Sequence, residues 1–524
     1  MKTTIQLKDL VLGKTDAKNE LLETDIQSIH RFTDSFLVPD NISPNEFING
    51  KKYFITGLKG TGKTALLRYI GLKAQKEYQA SISFILFKSD FSEDDKAAFS
   101  RAANTYVIEG ASSMESPEDD FINVWLWFIH RQIVREMASG AAFFERNAEW
   151  DKYSKCVSAP KLGNEDAGIK RYFPKLKQGR VEIEGDIDFL KIRLGFDIDG
   201  DLAKKVNFSS LVRQANELFQ RLTPSMNKYL LFVDELELTL GKKKQYQKDI
   251  QLIRDLILAI NKFNSLSKKY HYNTYVVAAI RSEVLTAIES TGKEINKPII
   301  DFGATLYWDT KVAGDFKTHP LIKIINKKIQ AAEKYAGLIN ISTDDEIWEK
   351  YFPSTINEKP IYEFILNKTW YRPRDIVRLL TIAQQQFPEK EKFSQYILES
   401  IGKEYSRQCW VEQTEELSST YTKDEIGAIK KILSSLECPF SRNSISKKAD
   451  TARSIYTDVD NLLNKYKIGD ILSHLFKLGI VGNTGENMRF SFRGDDELII
   501  ENSMTIHNSL WNYLSLRSRH DLTD

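Results

Sequence analysis

Gly57-Leu58-Lys59-Gly60-Thr61-Gly62-Lys63-Thr64 follows the pattern G-x-x-x-x-G-K-[ST] without departure, and its flanks supply the rest of a strand–loop–helix unit. Tyr53-Phe54-Ile55-Thr56 reads as a buried strand, and Ala65-Leu66-Leu67-Arg68-Tyr69-Ile70 reads as the helix that follows. Glycines at these places let the backbone curl so that successive N–H groups and the helix N-terminus face an anion. Lys63 then reaches the β- and γ-phosphates of a nucleotide, and the Thr64 hydroxyl is an oxygen ligand for Mg²⁺. The expected nucleotide-binding stretch runs from Gly57 to Ala65.

A second signature lies downstream. Tyr229-Leu230-Leu231-Phe232-Val233-Asp234-Glu235 is an apolar strand ending in two carboxylates. Behind a phosphate loop, that ending lets Asp234 hold Mg²⁺ and lets Glu235 orient and deprotonate the attacking water. A glutamate directly after the aspartate favours hydrolysis over kinase chemistry. The next strand, Tyr275–Ile280, ends in Arg281, which puts a guanidinium at the carboxyl end of a central strand, where it can sense a γ-phosphate. Further on, Trp370-Tyr371-Arg372-Pro373-Arg374-Asp375 opens a helix with proline in its first turn. Arg374 is the better candidate there for a second phosphate contact, and Arg372 the next.

Apolar β-rich runs at Tyr53–Thr56, Ser83–Phe87, Tyr229–Val233 and Thr274–Ile280 alternate with helical patterns, which predicts an α/β fold with a parallel sheet covered by helices on both faces. This is a P-loop NTPase core over residues 51–310, behind an N-terminal helical lead-in over 1–50. An insertion at about 150–200 interrupts the core, and the strict alternation in Arg180–Gly185 and Phe189–Ile198 predicts a hairpin within it. Phe121–Val134 reads as a buried helix carrying Trp125 and Trp127. From 311 to 420 helical periods take over, as in Leu321, Ile322, Ile325 and Ile329, and predict a helical lid. Residues 421–524 read as a winged-helix-like domain: helices at Glu425–Leu433, Tyr456–Leu463 and Asp470 onward, the last ended by Gly479, then a strand over Met488–Arg493.

The 74 lysines and arginines nearly balance 72 acidic residues, giving a formal charge of +2, so a nucleic-acid surface has to be a local patch. One candidate patch, Lys242, Lys243, Lys244 and Lys248, follows the acidic strand in a loop and reads as a solvated charge run. In the C-terminal domain Arg442, Lys447, Lys448, Arg453, Lys465 and Lys467 are interleaved with Asp450, Asp458 and Asp460, which favours a protein contact or an autoinhibitory role over DNA. The three cysteines, Cys156, Cys409 and Cys438, make no framework and suit a reducing compartment, expected to be the cytoplasm. No apolar run approaches the ~20 residues that span a bilayer. The histidines form no ligand-spaced pair. No guanine-reading N-K-x-D element is in place, which favours ATP over GTP.

The chain resembles a group of bacterial P-loop ATPases near the AAA-plus, STAND and origin-recognition-type ATPases. The resemblance rests on Gly13–Glu20, Gly57–Leu66, Glu294–Gly303, Arg372-Pro373-Arg374-Asp375 and Phe490–Asp495, and so covers most of the chain. It implies a nucleotide domain, a lid and a winged-helix-like domain, with Arg281 reading the γ-phosphate as in the STAND-like relatives and Arg374 serving as a lid sensor as in the initiator-type relatives. No trans-acting arginine finger is evident, which counts against a ring and leaves other oligomers open. The resemblance also implies a component of antiviral defence, against phage or mobile DNA. The expected function is Mg²⁺-dependent ATP hydrolysis driving a conformational change toward a protein partner or effector. The alternatives are a slow-hydrolysing STAND-like signalling switch and a DNA-bound regulator acting through the winged helix.

Overall fold

The computed structural model describes residues 4–20, 25–87, 120–160, 176–177, 180–182, 205–206, 208–236, 243–289, 294–308, 316–485 and 488–518. The chain divides into two compact units. One, the sheet unit, comprises Asp40–Gly57 and Lys63–Leu306; the other, the helical unit, comprises Met1–Pro39, Leu58–Gly62 and Tyr307–Asp524.

The sheet unit is built on five parallel strands: β1 (Phe54–Gly57), β2 (Ser81–Leu86), β3 (Tyr229–Leu236), β4 (Thr274–Arg281) and β5 (Gly303–Thr305). Their order is β2-β3-β4-β1-β5. Four of these are the strands expected from the apolar runs. β5, three residues beginning with glycine, is too short to show a period. The middle strands are apolar along almost their whole length because both faces are covered, as parallel sheets require. Helix α1 (Lys63–Tyr78) leaves the phosphate loop. Helices α2 (Asp120–Ala138) and α3 (Lys243–Lys269) pack on each other, with Trp125 and Trp127 fully buried. The Trp125 indole N–H donates to the Leu252 carbonyl at 2.9 Å, which satisfies a polar atom that burial would otherwise leave stranded. α3 begins at Lys243, so the loop expected to carry Lys242, Lys243, Lys244 and Lys248 is already helix there; Lys242 lies outside the described residues. Within the expected insertion, Arg180–Glu182 pairs antiparallel with Leu176–Lys177 and with Lys205–Val206. The expected partner run, 189–198, lies outside the described residues.

The helical unit contains α4 (Pro320–Tyr335), α5 (Pro373–Gln386) and α6 (Gly402–Leu417). Leu321, Ile322, Ile325 and Ile329 of α4 are buried at the spacing that predicted the helix. Proline opens both α4 and α5, where its missing N–H costs nothing. The start of the chain is woven into this unit. Leu7 donates its N–H to the Lys390 carbonyl at 2.6 Å, and Asp34 accepts from Lys334 and from the Tyr335 hydroxyl at 2.7 and 2.9 Å. Cys156 of the sheet unit and Cys409 and Cys438 of the helical unit are all buried.

Toward the C-terminus the described residues form four longer helices, α7 (Lys423–Leu433), α8 (Arg442–Ile455), α9 (Thr457–Lys465) and α10 (Ile468–Lys477), and a single turn of helix at Trp511–Leu514. Three were expected. α8 carries no clear apolar stripe, since it buries only Ile445, Ala449 and Ala452 in an otherwise polar sequence. Gly479, at φ +71°, ends α10: it donates to the Phe476 carbonyl, and Ile480 donates back to Leu475, a left-handed cap closing the last turn. The strand expected over Met488–Arg493 is not one. Arg489 makes a single bridge to Asn483, and Ser491–Arg493 is a 3-10 turn. The Asp495 carboxylate takes the Phe490 N–H at 3.0 Å and Gly494 closes the turn at φ +86°, so Phe490 and Phe492 are buried stacked on each other instead of alternating along a strand. The antiparallel pair is instead β6 (Val481–Asn483) with β7 (Met504–Ile506).

Candidate functional site

In the sheet unit, the strand order gathers the polar side chains at one edge. β4 lies between β3 and β1, and its last residue, Arg281, is in register with Gly57 at the end of β1. Asp234 and Glu235, followed in the strand by Leu236, stand at the end of β3 on the other side of β4. Lys63, first residue of α1, donates to the Gly57 carbonyl at 2.9 Å. The Thr64 hydroxyl donates to Asp234 Oδ2 at 2.6 Å, joining two residues 170 positions apart. Both groups offer oxygen to a hard cation, as Mg²⁺ requires, so the donor chemistry fits the metal. Burial pushes the Asp234 carboxyl above its usual range, opposed by the Thr64 hydroxyl, the Glu235 N–H and the Lys63 charge.

Glu235 has φ +58°, a left-handed conformation that costs a non-glycine residue ~1–2 kcal/mol. The pairing of β3 with β4 slips its register between Val233 and Leu236, so Glu235 sits at a bulge. Its own N–H donates to Asp234 Oδ1 at 2.7 Å. A bulge of this kind re-aims a side chain out of the strand's alternation, and backbone strain of this kind concentrates at functional positions.

The middle of the phosphate loop, Leu58–Gly62, packs within the helical unit. Gly60 and Gly62 have φ +83° and +93°, so a side chain at either would be strained. A Cβ on Gly60 would also meet Arg372 Cδ at 3.2 Å and Arg374 Cβ at 3.5 Å. The loop is pinned twice more: Trp308 Nε1 donates to the Thr61 carbonyl at 2.8 Å, and the Lys59 ammonium pairs with Glu415 and Glu416 at 3.0 and 2.8 Å. Trp308, Glu415 and Glu416 had no local sequence signal, because each is supplied by a segment hundreds of residues away.

The two lid arginines differ. Arg374 spends Nε on the Thr15 carbonyl at 2.9 Å and Nη1 on Glu412 at 3.1 Å. Arg372 is 9% exposed, lies over the Trp370 ring at 5.7 Å, and has a buried Nε with no hydrogen-bond partner among the described residues. Behind them Arg378 binds both Glu412 and Asp375. Burial alone would raise Glu412, but the Arg378, Arg374 and Arg372 charges overcome it and hold the carboxyl at about 2.

Residues 319–412 match the model of the FunZ-associated C-terminal helical domain, which places α4, α5 and most of α6 in a recognised helical module. The chain also aligns over 93% of its length with 96% of the crystal structure of Cdc6p from Pyrobaculum aerophilum, at 11% identity and a TM-score of 0.32, a similarity too distant to bear on the site. No curated protein matches the sequence. Among the described residues no helix is long and apolar enough to cross a membrane.

Proposed function

We propose that the chain binds ATP with Mg²⁺ at the loop Gly57–Ala65 and hydrolyses it, using the cycle to change the conformation it presents to a protein partner. The observation that carries this reading is the Thr64–Asp234 hydrogen bond, which joins the loop's hydroxyl to the acidic strand beside a glutamate held in a strained turn. Bound Mg²⁺ supplies positive charge to the phosphate oxygens, with Thr64 and Asp234 as its holders. Lys63 leaves the Gly57 carbonyl for the β- and γ-phosphates. Glu235 accepts the proton of the attacking water from a backbone bulge that takes it out of the strand's alternation. Arg281, ending the strand between the loop's strand and the acidic strand, neutralises charge on the γ-phosphate.

Of the lid arginines, the contacts favour Arg372 over Arg374 as the second phosphate reader. Arg374 is committed to Glu412 and Thr15, whereas Arg372 lies against Gly60 with a buried Nε that has no hydrogen-bond partner among the described residues. A slow, switch-like cycle is the second reading, in which the protein is triggered once per nucleotide bound. The winged-helix-like C-terminal domain fits a protein partner better than DNA, since Lys431, Arg453 and Lys465 are already paired with Asp458, Asp460 and Glu425. A role in defence against phage rests on the sequence resemblance alone.

Steady-state ATP hydrolysis with no DNA, single-stranded DNA and duplex DNA, alongside mass measurement in each nucleotide state, tests the reading. Slow basal turnover that DNA does not alter supports the switch. Turnover that rises with duplex and falls again with salt would favour the DNA-bound regulator.

A further inference from the structure

Trp370 and Tyr371 stand directly before Arg372, and three separate C-terminal elements hold them. From the end of α10, the Gly479 carbonyl accepts the Trp370 indole N–H at 2.9 Å. From the segment after β7, His507 stacks on the Trp370 ring with centroids 4.5 Å apart and planes 13° from parallel. From the 3-10 turn, Arg493 donates Nη2 to the Tyr371 hydroxyl at 3.0 Å and lies over the same ring at 4.8 Å. A side chain at Gly479 would collide with this arrangement: its Cβ would meet Phe492 at 2.9 Å and Trp370 at 3.2 Å.

What is being held is a bend. Tyr371 has φ +52°, a left-handed backbone that a tyrosine keeps only when its surroundings over-determine it. Asp375 ties the same bend from the other side by accepting the Trp370 backbone N–H at 3.1 Å. The bend sets the direction in which the chain enters α5, and so where Arg372 points against Gly60. A fold that needed only a buried tryptophan here would not require an arginine on the next residue's hydroxyl.

We propose that Gly479, Arg493 and His507 form a C-terminal clasp that positions Arg372, so that a partner gripping the C-terminal domain alters how the protein tells ATP from ADP. The proposal rests on the reading of Arg372 as a phosphate contact. It makes the three clasp residues positioning residues, acting through the Trp370–Tyr371 bend and never on the nucleotide itself. Information then runs from the C-terminal domain to the phosphate loop through two adjacent aromatic side chains and one backbone turn.

The test is a double-mutant cycle on the full chain, read by calorimetric affinity for ATP and for ADP in the presence of Mg²⁺. Arg493→Ala should lower the ratio of ATP to ADP affinity roughly fivefold through ATP alone, and Arg493→Lys should recover part of it. On an Arg372→Ala background, Arg493→Ala should add nothing. Tyr371→Phe, which deletes one hydroxyl, should move the ratio in the same direction with little change in thermal midpoint, and it decides the matter if Arg493→Ala does not fold. Losses that multiply across the two sites, or ATP and ADP affinities that fall together, would overturn the clasp. If Arg372→Ala leaves the ratio untouched while Lys63→Ala still weakens ATP binding on the order of 100-fold, the lid-arginine reading fails, and the clasp with it, while the phosphate loop stands.

Discussion

Two carboxylates, Asp234 buried in the sheet unit and Glu412 largely buried in the helical unit, show opposite responses to loss of water. Asp234 is met by a hydroxyl, a backbone N–H and the charge of Lys63, and burial wins, pushing its carboxyl up. Glu412 is met by Arg378, Arg374 and Arg372, and the charges win, holding it at about 2. At the first site the Mg²⁺ we propose there would offset the remaining charge. The second is neutralised from within and suits permanent architecture. Burial by itself therefore does not set a carboxylate's charge; the positive charge placed around it does.

The largest effect should come from breaking the neutralised pole. Glu412→Ala leaves Arg378 buried opposite only Asp375, and removing one partner of a buried pair costs about 3–5 kcal/mol, measurable as a drop in the chemical-denaturation midpoint. The pH dependence follows from the same charges. Because the folded carboxyl is held at about 2, below its ordinary 4.5, its stabilising contribution is complete above pH 4.5 and is lost as pH falls from there toward 2. Glu412→Ala should therefore flatten the acid side of the stability profile.

At the under-neutralised pole, Lys63→Ala should weaken ATP binding on the order of 100-fold in calorimetry, since a charged contact to phosphate is worth ~1.5–3 kcal/mol and Lys59 is held by Glu415 and Glu416. Arg281→Ala should act more selectively, lowering ATP affinity about tenfold and leaving ADP affinity within about twofold, because a γ-phosphate contact has no counterpart in the diphosphate. Equal losses would make Arg281 a structural residue. The smallest effect sharpens the comparison most: Glu235→Gly should raise stability by ~1 kcal/mol by relieving φ +58° while removing hydrolysis. A loss of stability there would mean the bend is not strained.

Much of the sheet unit was legible because its signals are local. The loop's glycines, the lysine after them and the apolar run into Asp234-Glu235 each sit within eight consecutive residues, and Arg281 follows its strand directly. The helical unit hid its chemistry in distance. Nothing near Arg374 announces Glu412 and Thr15 as its partners, because neither is close to it in sequence. α8 was missed because three buried positions in fourteen residues make a faint stripe. The Met488–Arg493 strand failed for another reason: alternating Phe490 and Phe492 mimic a strand's period, but Asp495 and Gly494 close the backbone into a turn.

The central claim, that Asp234 and Glu235 divide metal holding from water activation, is tested most directly by single-turnover hydrolysis with Glu235→Gln. The amide keeps the shape of the side chain and cannot take a proton, so ATP and Mg²⁺ affinity should stay within about twofold of the parent while the rate of phosphate release falls by ~10²–10⁴. Full binding with undiminished release would contradict the account and place the base elsewhere.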